Sequence, residues 1–71
     1  TLMPGERYDS APDAEGWSEM IYVIAGTLTL ELEQGTLTLS AGAAQTFNSD
    51  QRYAYANHGD LPLRFIRNVA F

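Results

Sequence analysis

The stretch that most constrains this chain is residues 27–39, where Leu28, Leu30, Leu32, Leu37 and Leu39 alternate with Thr27, Thr29, Glu31, Glu33, Thr36 and Thr38. A period of two puts the leucines on one face of a strand and the threonines and glutamates on the other. If Gln34-Gly35 forms a two-residue turn, Glu33 faces Thr36, Leu32 faces Leu37 and Leu30 faces Leu39, and every cross-strand pair matches in polarity. Glycine at the second turn position fits a type I′ turn, which needs positive φ at both central residues.

The remaining sequence repeats this grammar. Turn residues at Pro4-Gly5, residues 12–16, Gly26, Ala41-Gly42, residues 48–50 and residues 58–62 cut it into strands of about five to ten residues. No window carries helical periodicity and no repeat occurs at solenoid spacing. The expectation is an all-β barrel or sandwich. With 71 residues there is room for one domain, residues 1–71, near the lower size at which an apolar core suffices. Without cysteine, neither disulfides nor thiolate zinc can reinforce it, so a closed sheet or a partner chain has to.

Charge narrows the partners. The formal net charge is −5, and all four cations are arginine, so the average field repels a polyanion such as DNA. The longest apolar stretch, residues 20–25, is far too short to span a membrane, and no signal-peptide pattern is present. The reading is a soluble protein. The chain starts at Thr1 and ends in a strand pattern at Phe71, which reads as a domain cut from a longer protein.

Strand parity marks the unusual residues. In the last strand Leu61, Leu63, Phe65, Arg67, Val69 and Phe71 share a face, so Arg67 either enters the interior or follows a bulge that switches the facing. Met20, Tyr22 and Ile24 lie opposite Glu19, Ile21 and Val23, which leaves both faces of that strand apolar and calls for cover from another element or subunit.

Residues 19–26, EMIYVIAG, set a glutamate and a glycine with six residues, 20–25, between them, and an alternating strand follows. Fourteen residues after Gly26 comes Ser-Ala-Gly at 40–42, and then Phe47, Tyr53 and Asn57 follow in order. This pattern resembles the two motifs of the cupin superfamily, G(X)5HXH(X)3-4E(X)6G and a second that opens on PxG. The resemblance extends from Pro4-Gly5 to the last strand. It implies a small antiparallel double-stranded β-helix, the jelly-roll barrel. Cupins commonly hold a divalent metal with two histidines and a glutamate from the first motif and one histidine from the second. Here the histidine pair falls on Pro12 and Ala14, or on Asp13 and Glu15 at the shorter spacing, and the second-motif histidine becomes Tyr53; only Glu19 keeps its type. No metal site and no cofactor are expected, although Asp13, Glu15 and Glu19 are oxygen donors of a kind that suits calcium or magnesium. His58, in Asn57-His58-Gly59-Asp60, reads as an exposed turn residue.

Within the cupins the pattern is most similar to the C-terminal sensor domains of XRE-type helix-turn-helix transcription regulators. That likeness implies a non-catalytic, cytoplasmic domain that binds a small-molecule effector and forms a homodimer, with DNA contacted only through an upstream module outside this chain. The ligand-pocket candidates are Trp17, Glu19, Tyr53, Tyr55 and Arg67. By the family's facing, Glu19 and Tyr53 point inward, and parity carries Tyr55 and Asn57 with Tyr53. A buried carboxylate needs a partner, so Arg67 is expected to meet either Glu19, as a structural pair, or the carboxylate of a ligand. Trp17 is either a lid that stacks on a ligand or a cover for the barrel end. Two other functions stay open: a metal-free cupin enzyme, isomerase or lyase-like, with Glu19 as general acid/base and Tyr53 as proton donor, and a stand-alone structural cupin with a solid core.

Overall fold

The computed structural model describes residues 1–70; Phe71, one of the residues assigned to the inner face of the last strand, lies outside the described residues. Seven strands follow in order: β1 (Arg7–Ser10), β2 (Ser18–Ala25), β3 (Thr27–Leu32), β4 (Gly35–Ser40), β5 (Ala44–Asn48), β6 (Tyr53–Ala56) and β7 (Arg64–Ala70). They form two antiparallel sheets, β1-β6-β3-β4 and β5-β2-β7. The fold is therefore all-β, with the two faces of the jelly roll closed on each other.

Register fixes which side chains look inward. Tyr8 pairs with Tyr55, Ser10 with Tyr53 and Leu30 with both Tyr55 and Leu37, so these share the inner face of the first sheet. In the second sheet Glu19 pairs with Phe47 and Val69, Ile21 with Gln45 and Arg67, and Val23 with Phe65. Ile21, Val23, Leu28, Leu30, Leu39, Phe47, Tyr53, Tyr55 and Leu63 make the core. Each of the aliphatic side chains among them, and Phe47, contributes about 1.5–3 kcal/mol by leaving water.

Gly26 joins the two layers. As the single residue between β2 and β3 it turns the chain from one sheet into the other at φ 84°. A Cβ there would lie 2.7 Å from the Pro62 carbonyl oxygen and 3.0 Å from Leu63 Cα. Both the left-handed backbone and the close passage of the β6–β7 connection require glycine.

The β3–β4 hairpin forms with its leucines inward, but two residues out of the expected register. Leu32 pairs with Gly35, Leu30 with Leu37 and Leu28 with Leu39, so the turn is Glu33-Gln34. No non-glycine residue among those described has positive φ, which excludes type I′ at that turn, and Gly35 follows it at φ 153°. Distant contacts pin this arrangement. The Glu33 N–H donates to Gln51 Oε1 at 3.1 Å, and the Arg52 N–H donates to Glu33 Oε2 at 3.3 Å. Burial fades toward the tip, where Leu37 is exposed.

A bulge does occur along β7, but in its partner. The β2–β7 register slips between Val23 and Ala25, leaving Ile24 as the extra residue, so Arg67 keeps the inward parity. Met20, Tyr22, Ile24 and Ile66 stand exposed, an apolar group on the outer face of the second sheet.

Candidate functional site

The interior polar group is centred on Glu19, which β2 carries into the core between Phe47 and Val69 and which is 1% exposed. Strand β6 brings two phenols to it. The Tyr53 hydroxyl donates to Glu19 Oε2 at 2.9 Å, and the Tyr55 hydroxyl donates to Glu19 Oε1. From β7, Arg67 Nε comes within 3.6 Å of Glu19 Oε1. A buried carboxylate with two hydroxyl donors and a guanidinium nearby is compensated, so its burial is tolerable.

Arg67 itself is partly exposed at the gap between β1 and β7, with its guanidinium carbon 5.4 Å from the Tyr8 ring centre and 5.6 Å from that of Tyr55. Those distances are within cation–π range. Tyr8 and Tyr55 are stacked 9° from parallel, and Tyr53 and Phe65 pack against Tyr55 edge-on or tilted. The result is an aromatic wall around one cation and one anion.

Ionisation follows from that packing. Burial, and then the bond to Glu19, drive the Tyr55 hydroxyl far above the ordinary phenol value. Tyr53 is raised too, by burial first, then by Glu19 and more distantly by Asp13, against a contrary effect of Ser10. Burial disfavours the Arg67 cation, but the Tyr8 side chain and the Glu19 charge outweigh it and keep the guanidinium's pKa above its usual value.

Of the five sequence candidates, the structure gathers Glu19, Tyr53, Tyr55 and Arg67 into one group, with Arg67 against Glu19, the structural one of the two arrangements expected. Trp17 is half-buried where the β1–β2 loop enters β2; its N–H donates to the Ala14 carbonyl and its own carbonyl accepts from the Ser49 N–H. Asn57, on the same face as Tyr53, is a staple: its Nδ2 donates to the carbonyls of Leu2 and Leu61, and its Oδ1 accepts from the Gly59 N–H. His58 is exposed in the loop that follows. Tyr8 is the residue sequence reasoning passed over. The turns at Pro4-Gly5 and residues 12–16 bracket its strand, but nothing local reveals that β1 lies beside β6.

The donor set does not fit the metal common in this fold. Among the described residues no group of three or more His, Cys, Asp or Glu could hold an ion, and Asp13, Glu15 and Glu19 do not come together. Both Glu19 oxygens are engaged by tyrosines.

A cavity of about 320 Å³ opens at the end of the first sheet, lined by Arg7, Asp9, Ser10, Glu31, Leu32, Glu33, Arg52, Tyr53 and Ala54. It meets the interior group only at Tyr53. Arg7 is already committed there, to Asp9 at 2.9 Å and Glu31 at 2.7 Å.

Comparison with known proteins places this geometry. The Cupin_2 family model, a cupin domain, matches residues 1–67. The structure superposes with a TM-score of 0.87 on the Cupin_2 domain of an XRE family transcriptional regulator from Enterobacter cloacae, 29% identical over 96% of this chain and 70% of that one. An HTH_3 family transcriptional regulator from Vibrio cholerae gives 0.82 at 28% identity, over 96% of this chain and 37% of that one. A sugar phosphate isomerase of the cupin superfamily from Silicibacter pomeroyi gives 0.71 at 25% identity, over 96% and 44%. No curated protein sequence matches the chain.

Proposed function

The chain belongs to the Cupin_2 family, and we propose that within it this domain senses a small molecule and dimerises on behalf of a transcription regulator, without bond-making chemistry of its own. The observation that carries the reading is the state of Glu19. The one metal-ligand position that keeps its residue type has both oxygens taken by tyrosine hydroxyls and a cation beside it. Such a group can bind and report.

The effector in this reading is a small anion. Arg67 lies at the gap between β1 and β7, part of its surface in water, and a guanidinium recognises carboxylate or sulfate through paired N–H donors. An anion arriving there competes with Glu19 for the cation, which turns a structural ion pair into a ligand-dependent one. Likeness to two bacterial transcription regulators supports the wider assignment. DNA contact then belongs to a module outside these residues, consistent with a net charge of −5, and the working compartment is the cytoplasm. The outer face of Met20, Tyr22, Ile24 and Ile66 is assigned to a second copy of this chain.

The test is calorimetric titration of acetate, butyrate and sulfate into the parent chain and Arg67→Ala. Saturable binding in the parent, weakened at least about tenfold in the variant, is expected. If Arg67→Ala loses stability while binding the same anions unchanged, the effector role of Arg67 is wrong.

Similarity to the sugar phosphate isomerase supports a second reading, an enzyme. Proton transfer needs a donor whose pKa lies near working pH. Tyr53 and Tyr55 are both pushed the other way, which favours the sensor.

A further inference from the structure

The loop between β1 and β2 meets the loop between β5 and β6 at the barrel end where Tyr53 begins its strand. Two buried polar atoms there, Asp13 Oδ2 and Ser49 Oγ, have no hydrogen-bond partner among the described residues. Ser49 is wholly buried. Their backbones are locked together: the Asp13 N–H donates to the Ser49 carbonyl at 2.8 Å, and the Ser49 N–H donates to the Trp17 carbonyl at 3.0 Å. A third bond, from the Gly16 N–H to Asp50 Oδ2 at 3.0 Å, ties the same two loops. The unmet atoms therefore stand on adjoining backbone that is held in place.

Buried polar atoms are nearly always partnered, and an unpartnered one costs about 1–3 kcal/mol. A carboxylate oxygen can only accept, and a serine hydroxyl keeps its lone pairs even when it donates, so the missing group must bring hydrogens. Charge narrows it further. Inside the barrel Glu19 has Arg67 at 3.6 Å, whereas Asp13 takes part in none of the ion pairs among the described residues. The group that meets both needs carries several N–H donors and a positive charge.

We propose that Asp13 and Ser49 form a subsite for a primary ammonium group of the effector, so that the ligand carries an amine at this pole and an anionic group at Arg67, as a small amino acid does. This rests on the anion-sensing reading above and extends it to a second pole. The ammonium donates to Asp13 Oδ2 and Ser49 Oγ and leaves one hydrogen for water or a neighbouring acceptor. Tyr53 connects the poles, since its hydroxyl donates to Glu19, the Asp13 charge acts on the same phenol, and its strand starts four residues after Ser49.

The probes are γ-aminobutyrate, butyrate and butylamine, titrated calorimetrically into the 71-residue chain and into Asp13→Asn and Ser49→Ala, with circular dichroism to establish that each variant is folded. Expected are γ-aminobutyrate binding at least about tenfold tighter than butyrate, measurable butylamine binding, and loss of the amine advantage in either variant with butyrate unaffected. Two variants are used so that misfolding of one leaves the other decisive. Equal affinity for γ-aminobutyrate and butyrate, silence of butylamine, or unchanged amine binding in the folded variants overturns the proposal. So does a crystal structure in which a single water bridges the two atoms and persists in butylamine. Butylamine binding with butyrate silent keeps the amine subsite and removes the anion reading; the converse pattern does the opposite.

Discussion

Tyr55 is wholly buried, and its hydroxyl donates to a carboxylate that is itself buried, so the phenol ionises only at great cost while the protein is folded. In the unfolded chain it ionises near the ordinary value of 10, and so does Tyr53. Because both folded values are raised, the stability they contribute is intact below about pH 10 and is lost as pH climbs through and beyond it, at up to about 1.4 kcal/mol per pH unit for each phenol. The chain has neither lysine nor cysteine, which leaves the phenols as the side chains that titrate in this window. Tyr55→Phe is expected to lower stability at neutral pH by about 1.5–3 kcal/mol, the worth of a hydrogen bond to a charged group, and to halve the alkaline slope. Urea unfolding at a series of pH values measures both, and an unchanged slope in the variant removes Tyr55 as its origin. Parity alone located this residue, because period-two counting from Tyr53 is indifferent to what lies opposite. The identity of the opposing groups was not legible, since Glu19 and Arg67 are brought by strands far off in sequence.

At the scale of elements, the alternation in residues 27–39 dictated a hairpin and its facing but left its register open by two residues. Polarity matching is blind to a shift of two, because inward leucines still meet leucines at Leu30 and outward polar residues still meet polar residues. The decision came from Gly35 at φ 153° and from Glu33 reaching across to the backbone of Arg52 and the side chain of Gln51. Strand β1 was illegible for a related reason: four residues, RYDS, carry no apolar alternation and take their place from β6. Gly26 offers a sharp test of how elements are joined. Gly26→Ala incurs about 1–2 kcal/mol for the left-handed backbone, plus the overlap with Pro62 at 2.7 Å. Gly16 has the same φ, 84°, with nothing within 4 Å of a Cβ. Thermal unfolding should therefore show Gly26→Ala clearly the more damaging, and equal losses would mean that the close passage at Pro62 is unimportant.

For the whole molecule, the exposed Met20, Tyr22, Ile24 and Ile66 make the outer face of the second sheet apolar. Replacing Tyr22 and Ile24 together by lysine and aspartate is expected to convert a dimer into a monomer in light scattering while far-ultraviolet circular dichroism stays the same; a parent chain that is monomeric at high concentration sinks the assignment. The other long boundary is the gap between β1 and β7, edge strands of different sheets. The Leu2–Leu63 backbone pair ties it at one end, and further along Arg67 spans it by lying over Tyr8. A boundary fastened there by a side chain can part without tearing any hydrogen-bonded ladder, so the barrel has a built-in zip. Whatever draws Arg67 away from Tyr8 and Glu19 loosens its teeth, and under the proposed sensing role occupancy of one small site would become a change in how far two whole sheets breathe apart.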